Sequence, residues 1–175
     1  LRDSAFRTYT LGFSAAMGSF FVFFSTAPRV LIGRAGLSPV AFAVAFASVA
    51  VVMIVATGLA ARVVTRWGVE GSLVRGLAVI LLGGAALAAG SLAALPWAAA
   101  FLAPMWVVAV GIVLVVSVAA NGALRDFGHV AGTAVALFYC VHSLVVGALG
   151  IALVLLLRGD TAWPLAAYCA TSVAI

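Results

Sequence analysis

The sequence predicts an all-α membrane protein, a bundle of six transmembrane helices with the last one cut short. Three observations carry this expectation. The 175-residue chain is 67% hydrophobic and only 7% charged, with a mean hydropathy of +1.35; a water-soluble domain of this length has no core large enough to hide so much apolar surface. The apolar residues fall into runs divided by short polar breaks, and five of the runs reach the ~20 residues that a helix needs to cross a bilayer. The nine basic residues, all arginine, lie at the breaks.

The first run covers about 8–31, with Pro28 near its far end. The second opens at Ser38-Pro39, where the serine can cap and the proline occupies a first-turn position that needs no N–H, and it continues to about 61. The third, 73–95, stops at Pro96-Trp97. The fourth, 97–120, carries Pro104 as an expected kink, and the fifth covers 130–157. The sixth follows Arg158-Gly159-Asp160-Thr161, where Asp160 or Thr161 can cap, and its 163–175 is too short to span. The chain starts at Leu1 without a signal-peptide pattern, so it reads as a fragment at both ends. Cys140 and Cys169 lie inside apolar runs, which argues against a structural disulfide.

Alternating the sides of these spans places Arg2, Arg7, Arg62, Arg66, Arg75 and Arg125 on one side and Arg29, Arg34 and Arg158 on the other. The positive-inside rule puts the first group, and the N-terminus, in the cytoplasm. The net charge of +5 is then a topology signal and not a nucleic-acid footprint, because no long basic run occurs. Arg62 and Arg66, four residues apart, repel each other unless an anion faces them. At a cytoplasmic helix end, the headgroups of the lipid bilayer supply it. Trp67 suits the interfacial aromatic belt, and Gly68 frees the backbone for a tight turn.

Two spans carry rows of small residues of the kind that let membrane helices approach closely: Gly132, Ala136, Cys140, Ser143, Gly147 and Gly150 in the fifth, and Gly76, Gly83, Ala86, Gly90 and Ala94 in the third. The third span has no aromatic residue, which suits a supporting helix. Aromatic residues gather elsewhere, and a site for an apolar ligand is built from such surfaces with a few polar handles. The first span offers Phe13, Phe20, Phe21, Phe23 and Phe24 near Ser19, Ser25 and Thr26; the second, Phe42 and Phe46 on one face; the fourth, Phe101, Met105 and Trp106; the fifth, Phe138, Tyr139 and His142.

His142 is the ionisable group expected near mid-membrane, as a substrate or proton ligand or as a neutral imidazole bonded to a neighbouring helix. Asn121 and Arg125, one turn apart and followed by Asp126, form a gate contact or a solvated helix end. Arg29 either draws an electron-rich ligand from the outer side or snorkels to headgroups. All four acids, Asp3, Glu70, Asp126 and Asp160, fall at helix ends or breaks. With no nucleotide-binding signature and no metal-ligand spacing, no catalytic residue, metal or cofactor is expected.

The stretch "ARVVTRWGVEGS" resembles a degenerate copy of the cytoplasmic loop signature of the major facilitator superfamily, G-x-L-a-D-R-x-G-R-R/K. Arg66 and Gly68 match it. Ala61 and Thr65 stand at its Gly and Asp, and Val69 and Glu70 replace its basic pair. In order along the chain, "FFVFFSTAPRVLIGRAG", "AFASVAVVMIV", "TRWGVEGSLVRG", "PMWVVAVGIV", "SVAANGAL", "VAGTAVALFYC" and "GDTAWPLAAY" resemble the chloramphenicol and florfenicol exporters of the bicyclomycin/chloramphenicol group of drug–proton antiporters. The resemblance implies the C-terminal six-helix half of a twelve-helix transporter in the bacterial inner membrane, a secondary active transporter and not an enzyme. Its implied partners are a small hydrophobic drug, a proton, the lipid bilayer and an N-terminal six-helix half that holds the proton carrier. It further implies a cavity lined by the first, second, fourth and fifth helices, making Phe20, Phe24, Phe42, Phe46, Met105, Phe138, Tyr139 and His142 the substrate-pathway candidates. Arg62, Arg66 and Gly68 become the loop motif, and Asn121 and Arg125 a possible gate. The alternatives are a transporter of another small molecule on the same fold, and a self-contained six-span scaffold or enzyme.

Overall fold

A computed structural model describes residues 3–93 and 95–173, and among them every element is helical. Helix α1 (Ser4–Pro28) opens at Asp3, whose Oδ1 accepts the Phe6 N–H at 2.7 Å. Pro28 does not stop it. The helix widens into a π-helical turn over Arg29–Arg34, directly after the proline. It then ends at Gly36 (φ +70°), with the Leu37 N–H reaching back to the Leu31 carbonyl at 3.0 Å. A glycine in this left-handed position is the usual way to finish a helix.

Helix α2 (Pro39–Leu92) starts where the sequence places it, with the Ser38 hydroxyl accepting the Ala41 N–H at 3.2 Å. Its 54 residues would reach about 80 Å if straight, against a hydrocarbon core of about 30 Å. It is not straight. Gly68 has φ 72° and ψ 175°, a region open essentially to glycine alone, and the chain doubles back there. The 69–92 limb runs against helix α3 (Trp97–Leu124) in the opposite direction, so that Gly76 meets Gly111 and Val115, Gly83 meets Pro104 and Val108, and Gly90 meets Ala100. The 39–67 limb follows α3 in its own direction: Trp106 Nε1 donates to Ser48 Oγ at 2.9 Å, and Ala60 and Val63 share a cleft with Leu114 further along. The polar break expected between 61 and 73 therefore shrinks to one residue. Arg62 to Trp67 remain helical because nothing among them opposes a helix, and the Ser72 hydroxyl binds the Gly68 carbonyl at 2.7 Å as the helix resumes.

After a 3₁₀ turn (Gly128–Val130), α4 (Ala131–Val145) leads through a second π-helical turn (Val146–Gly150) into α5 (Ile151–Leu156). The last helix is α6 (Trp163–Val173). Among the described residues, four stretches are long and apolar enough to cross a membrane: Ser4–Arg34, Pro39–Leu92, Ala100–Leu124 and Gly128–Leu156. Between α5 and α6, Asp160 is taken up by Arg34 (Nε–Oδ2, 2.9 Å), and the Thr161 hydroxyl donates back to the Arg158 carbonyl at 2.9 Å. The reversal between α1 and α2 and the one between α5 and α6 are thereby tied together.

The core lies along α3, where Phe101, Met105 and Ile112 are at most 1% exposed. Helix α6 enters it beside α1: Tyr168 is fully buried, its hydroxyl donating to the Ser14 carbonyl at 3.0 Å and lying against Gly18, where no side chain would fit. The buried hydroxyls of α1 serve their own helix. Thr10, Ser14, Ser19 and Thr26 each donate to the carbonyl four residues earlier at 2.6–2.8 Å, which satisfies them in an apolar surrounding.

The two small-residue rows behave differently. Gly76, Gly83 and Gly90 are packed against α3 as described, Ala86 is exposed, and Ala94 lies outside the described residues. In the other row Gly132 and Gly147 have no neighbour within 4 Å, Ala136, Cys140 and Ser143 are exposed, and Gly150 meets Phe21 and Val22. Small side chains permit close approach; they do not decide which side of a helix receives a neighbour.

Candidate substrate pathway

Phe13, Met17, Phe20 and Phe24 recur along α1 at steps of four, three and four residues, so they share one face. Phe13 is 7% exposed and Phe24 60%, with Met17 and Phe20 half-buried between them. At the Phe13 end, α4 contributes a cluster: ring centroids lie 4.9 Å from Phe13 to Phe138, 4.9 Å to His142 and 6.2 Å to Tyr139. At the Phe24 end, the 39–67 limb contributes Phe46, edge-on to Phe24 at 5.7 Å, and Phe42, 5.8 Å from Phe46.

Behind this face is a second layer. Phe23 stacks on Phe46 at 5.5 Å and on Phe101 at 5.6 Å, and Phe23, Phe101, Met105 and Phe138 are all fully buried. Aromatic pairs of this geometry each add about 0.5–1.5 kcal/mol beyond their buried area, so the open rings stand on a stiff support. Of the candidates read from the sequence, Phe20, Phe24, Phe42, Phe46, Tyr139 and His142 lie on the open layer, while Met105 and Phe138 belong to the layer beneath.

The polar equipment is sparse. The Nδ1 of His142 is buried and has no hydrogen-bond partner, a costly state for a ring nitrogen. Tyr139, one turn earlier on the same helix face, is 52% exposed. An imidazole and a phenol set in an aromatic wall can hold a flat, mostly apolar molecule by stacking and orient it by one or two hydrogen bonds. Ser19 and Thr26, turned inward, do not contribute, and the Ser25 hydroxyl is bound to the Phe21 carbonyl at 2.9 Å.

The remaining candidates lie apart from this wall. Asn121 and Arg125 are exposed at the end of α3, and Arg125 pairs with the adjacent Asp126 at 3.6 Å with both side chains more than half exposed. Such a pair contributes little. Arg62 and Arg66 are exposed before the Gly68 reversal, and the Arg75 guanidinium lies over the Trp67 ring at 4.8 Å. Two relations were not drawn from the sequence, although it named the residues involved. Phe13 supplies the contact between α1 and His142, and the π-helical turn at Val146–Gly150 begins directly after the His142 turn, with the Val146 N–H shared between the His142 and Ser143 carbonyls. The Gly147 and Gly150 pair is the signal that marks that turn.

Comparison with known proteins gives two relatives. A chloramphenicol resistance protein of Pseudomonas aeruginosa is 43% identical over 166 residues, which cover 95% of this chain and 40% of that protein. A chloramphenicol resistance protein of Escherichia coli is 35% identical over 83 residues, 47% of this chain and 28% of that protein. The chain thus spans less than half the length of the curated relatives it matches. No family profile and no solved structure matches it.

Proposed function

We propose that this chain is the C-terminal, six-span half of a major facilitator transporter that exports phenicol antibiotics in exchange for protons. The observation that carries the reading is the 43% identity to a chloramphenicol resistance protein along 95% of the chain. Long apolar helices favour resistance by export over resistance by chemical modification of the drug. In this reading the two limbs of α2 are separate crossings joined at Gly68, and α6 is the start of the sixth. The arginine distribution favours a Gly68 end on the cytoplasmic side of the bacterial inner membrane.

The aromatic wall of α1, α4 and the 39–67 limb faces the second half of the transporter, with the drug between them. A nitrophenyl ring stacks on the open phenylalanines, and His142 and Tyr139 meet the drug's amide and hydroxyl groups. The halves rock about this site to open it alternately to each side. We assign the proton carrier to the other half, because all four acids of this chain lie at helix ends or reversals: Asp3 caps α1, Glu70 is exposed beside the Gly68 reversal, Asp126 follows the end of α3 and Asp160 pairs with Arg34 between α5 and α6. The test is accumulation of labelled chloramphenicol in susceptible bacteria expressing the full-length protein. Accumulation falls, and a protonophore restores it. Unchanged accumulation with well-inserted protein, or recovery of chemically altered drug, would contradict the reading.

A further inference from the structure

The reversal at Gly68 leaves a cleft between the 39–67 limb and α3, on the side of α3 turned away from the aromatic wall. Val110 and Leu114 line it from α3. Val110 is nine residues from both Phe101 and Ala119, and Leu114 nine residues from Met105, all three fully buried in the core; nine residues carry a helix about two and a half turns, to its opposite face. Val52, Val55, Leu59 and Val63 line the cleft from the other wall, and Trp67 closes its end. The cleft holds about 380 Å³. From 51 to 67 it is about 24 Å long at 1.5 Å per residue, enough for one acyl chain in one leaflet, whose share of the hydrocarbon core is about 15 Å.

Its mouth is charged. Val55, Leu59, Arg62 and Arg66 follow one another at steps of four, three and four residues, so the edge of the cleft runs directly into two guanidinium groups. The fold-back brings a third, because Arg75 lies over the Trp67 ring that closes the cleft. Among the described residues none of the three is ion-paired with a carboxylate; the pairs formed are Arg34 with Asp160 and Arg125 with Asp126. Apolar walls long enough to take a chain across one leaflet, ending in three cations and an interfacial tryptophan, match one kind of occupant.

We propose that this cleft is a binding site for an anionic phospholipid, with one acyl chain along Val52 to Val63 and the headgroup phosphate held by Arg62, Arg66 and Arg75. The site requires α2 to cross the membrane and is independent of the drug assignment, since it lies on the far side of α3 from the aromatic wall. The lipid fastens the two limbs of α2 at their joint.

The experiment uses the full-length protein with every tryptophan except Trp67 replaced by phenylalanine (Trp97→Phe, Trp106→Phe and Trp163→Phe in this chain), reconstituted in vesicles. Trp67 fluorescence is titrated with mid-chain-brominated phosphatidylglycerol and, separately, brominated phosphatidylcholine. The anionic lipid quenches at the lower mole fraction, and Arg62→Gln, Arg66→Gln or Arg75→Gln each removes up to about fivefold of that preference. Soluble glycerol phosphate does not relieve the quenching. The preference is a ratio within each variant, and if an arginine variant fails to fold, the two lipids on the parent protein and the glycerol phosphate competition still decide. Equal quenching by both lipids means ordinary annular lipid and overturns the site. So does absence of quenching by either, which means that protein covers the cleft. Relief by glycerol phosphate means an anion site without a chain, and a preference that survives all three substitutions removes the arginines from it.

Discussion

The two limbs of α2 are both apolar, yet they are used in opposite ways. The 69–92 limb sets glycines at close approaches to α3 and α6: Gly76, Gly83, Gly84 and Gly90 each face a neighbour at a distance that leaves no room for a methyl group or almost none. The 39–67 limb also contains a glycine, Gly58, but it has nothing within 4 Å; this limb touches α3 through Ser48 and Trp106 and keeps Phe42 and Phe46 toward α1. One limb is fixed backbone to backbone, where van der Waals contact is densest. The other leaves clefts beside α3 and an aromatic face toward α1. The close packing thus lies behind the wall, and the open surface in front of it.

The comparison breaks most severely at Gly111. A β-carbon there would lie 2.7 Å from the Gly76 carbonyl oxygen and 2.9 Å from the Ile80 nitrogen, and backbone cannot move aside as a side chain can. Gly111→Val should cost about 3 kcal/mol or more, read as a large fall in the melting temperature of detergent-purified protein or as loss of folded protein on size exclusion. Gly58→Ala in the open limb should leave the melt unchanged or slightly raised, since alanine favours the helix.

A smaller effect is expected at the joint between the limbs. Gly68→Ala forces a side chain into a conformation worth about 1–3 kcal/mol of strain, and it should lower the melting temperature without a packing clash, because Gly68 has open space around it. The smallest change is Trp106→Phe, which removes the hydrogen bond to Ser48 at 2.9 Å and should cost about 1 kcal/mol. If Ser48→Ala combined with Trp106→Phe costs no more than Trp106→Phe alone, the limb is held at that point by the bond itself. Additive losses would mean that the bond contributes nothing.

Much of this organisation is legible in the residues. The all-helical class follows from the apolar runs, the start of α2 from Ser38-Pro39, and the packed row of the third span from its glycines and its lack of aromatic residues. The rows diverge because spacing records only that a face is small. The face of α4 at Gly132, Ala136, Cys140 and Ser143 has the same pattern as the packed limb and is exposed. The polarity of 62–72 predicted a loop, but arginine and threonine are tolerated in a helix, and the turn required only the positive φ of Gly68. The wall is legible as a list of phenylalanines but not as two layers. Whether Phe23 or Phe24 is buried depends on the direction from which α3 approaches α1, which local periodicity does not contain.

In the proposed transporter the open layer of the aromatic wall faces drug and water and not lipid. The most direct measurement places single cysteines, in full-length protein with every native cysteine replaced by alanine (Cys140→Ala and Cys169→Ala in this chain), at Tyr139, at Phe24, and at Leu82 on the exposed outer side of the 69–92 limb, and follows labelling by a membrane-impermeant maleimide in intact vesicles. Tyr139→Cys and Phe24→Cys should react, and chloramphenicol should slow both, while Leu82→Cys stays unreactive with or without drug. Silence at Tyr139→Cys and Phe24→Cys, or labelling that chloramphenicol does not change, would place the wall against lipid or protein and contradict the account.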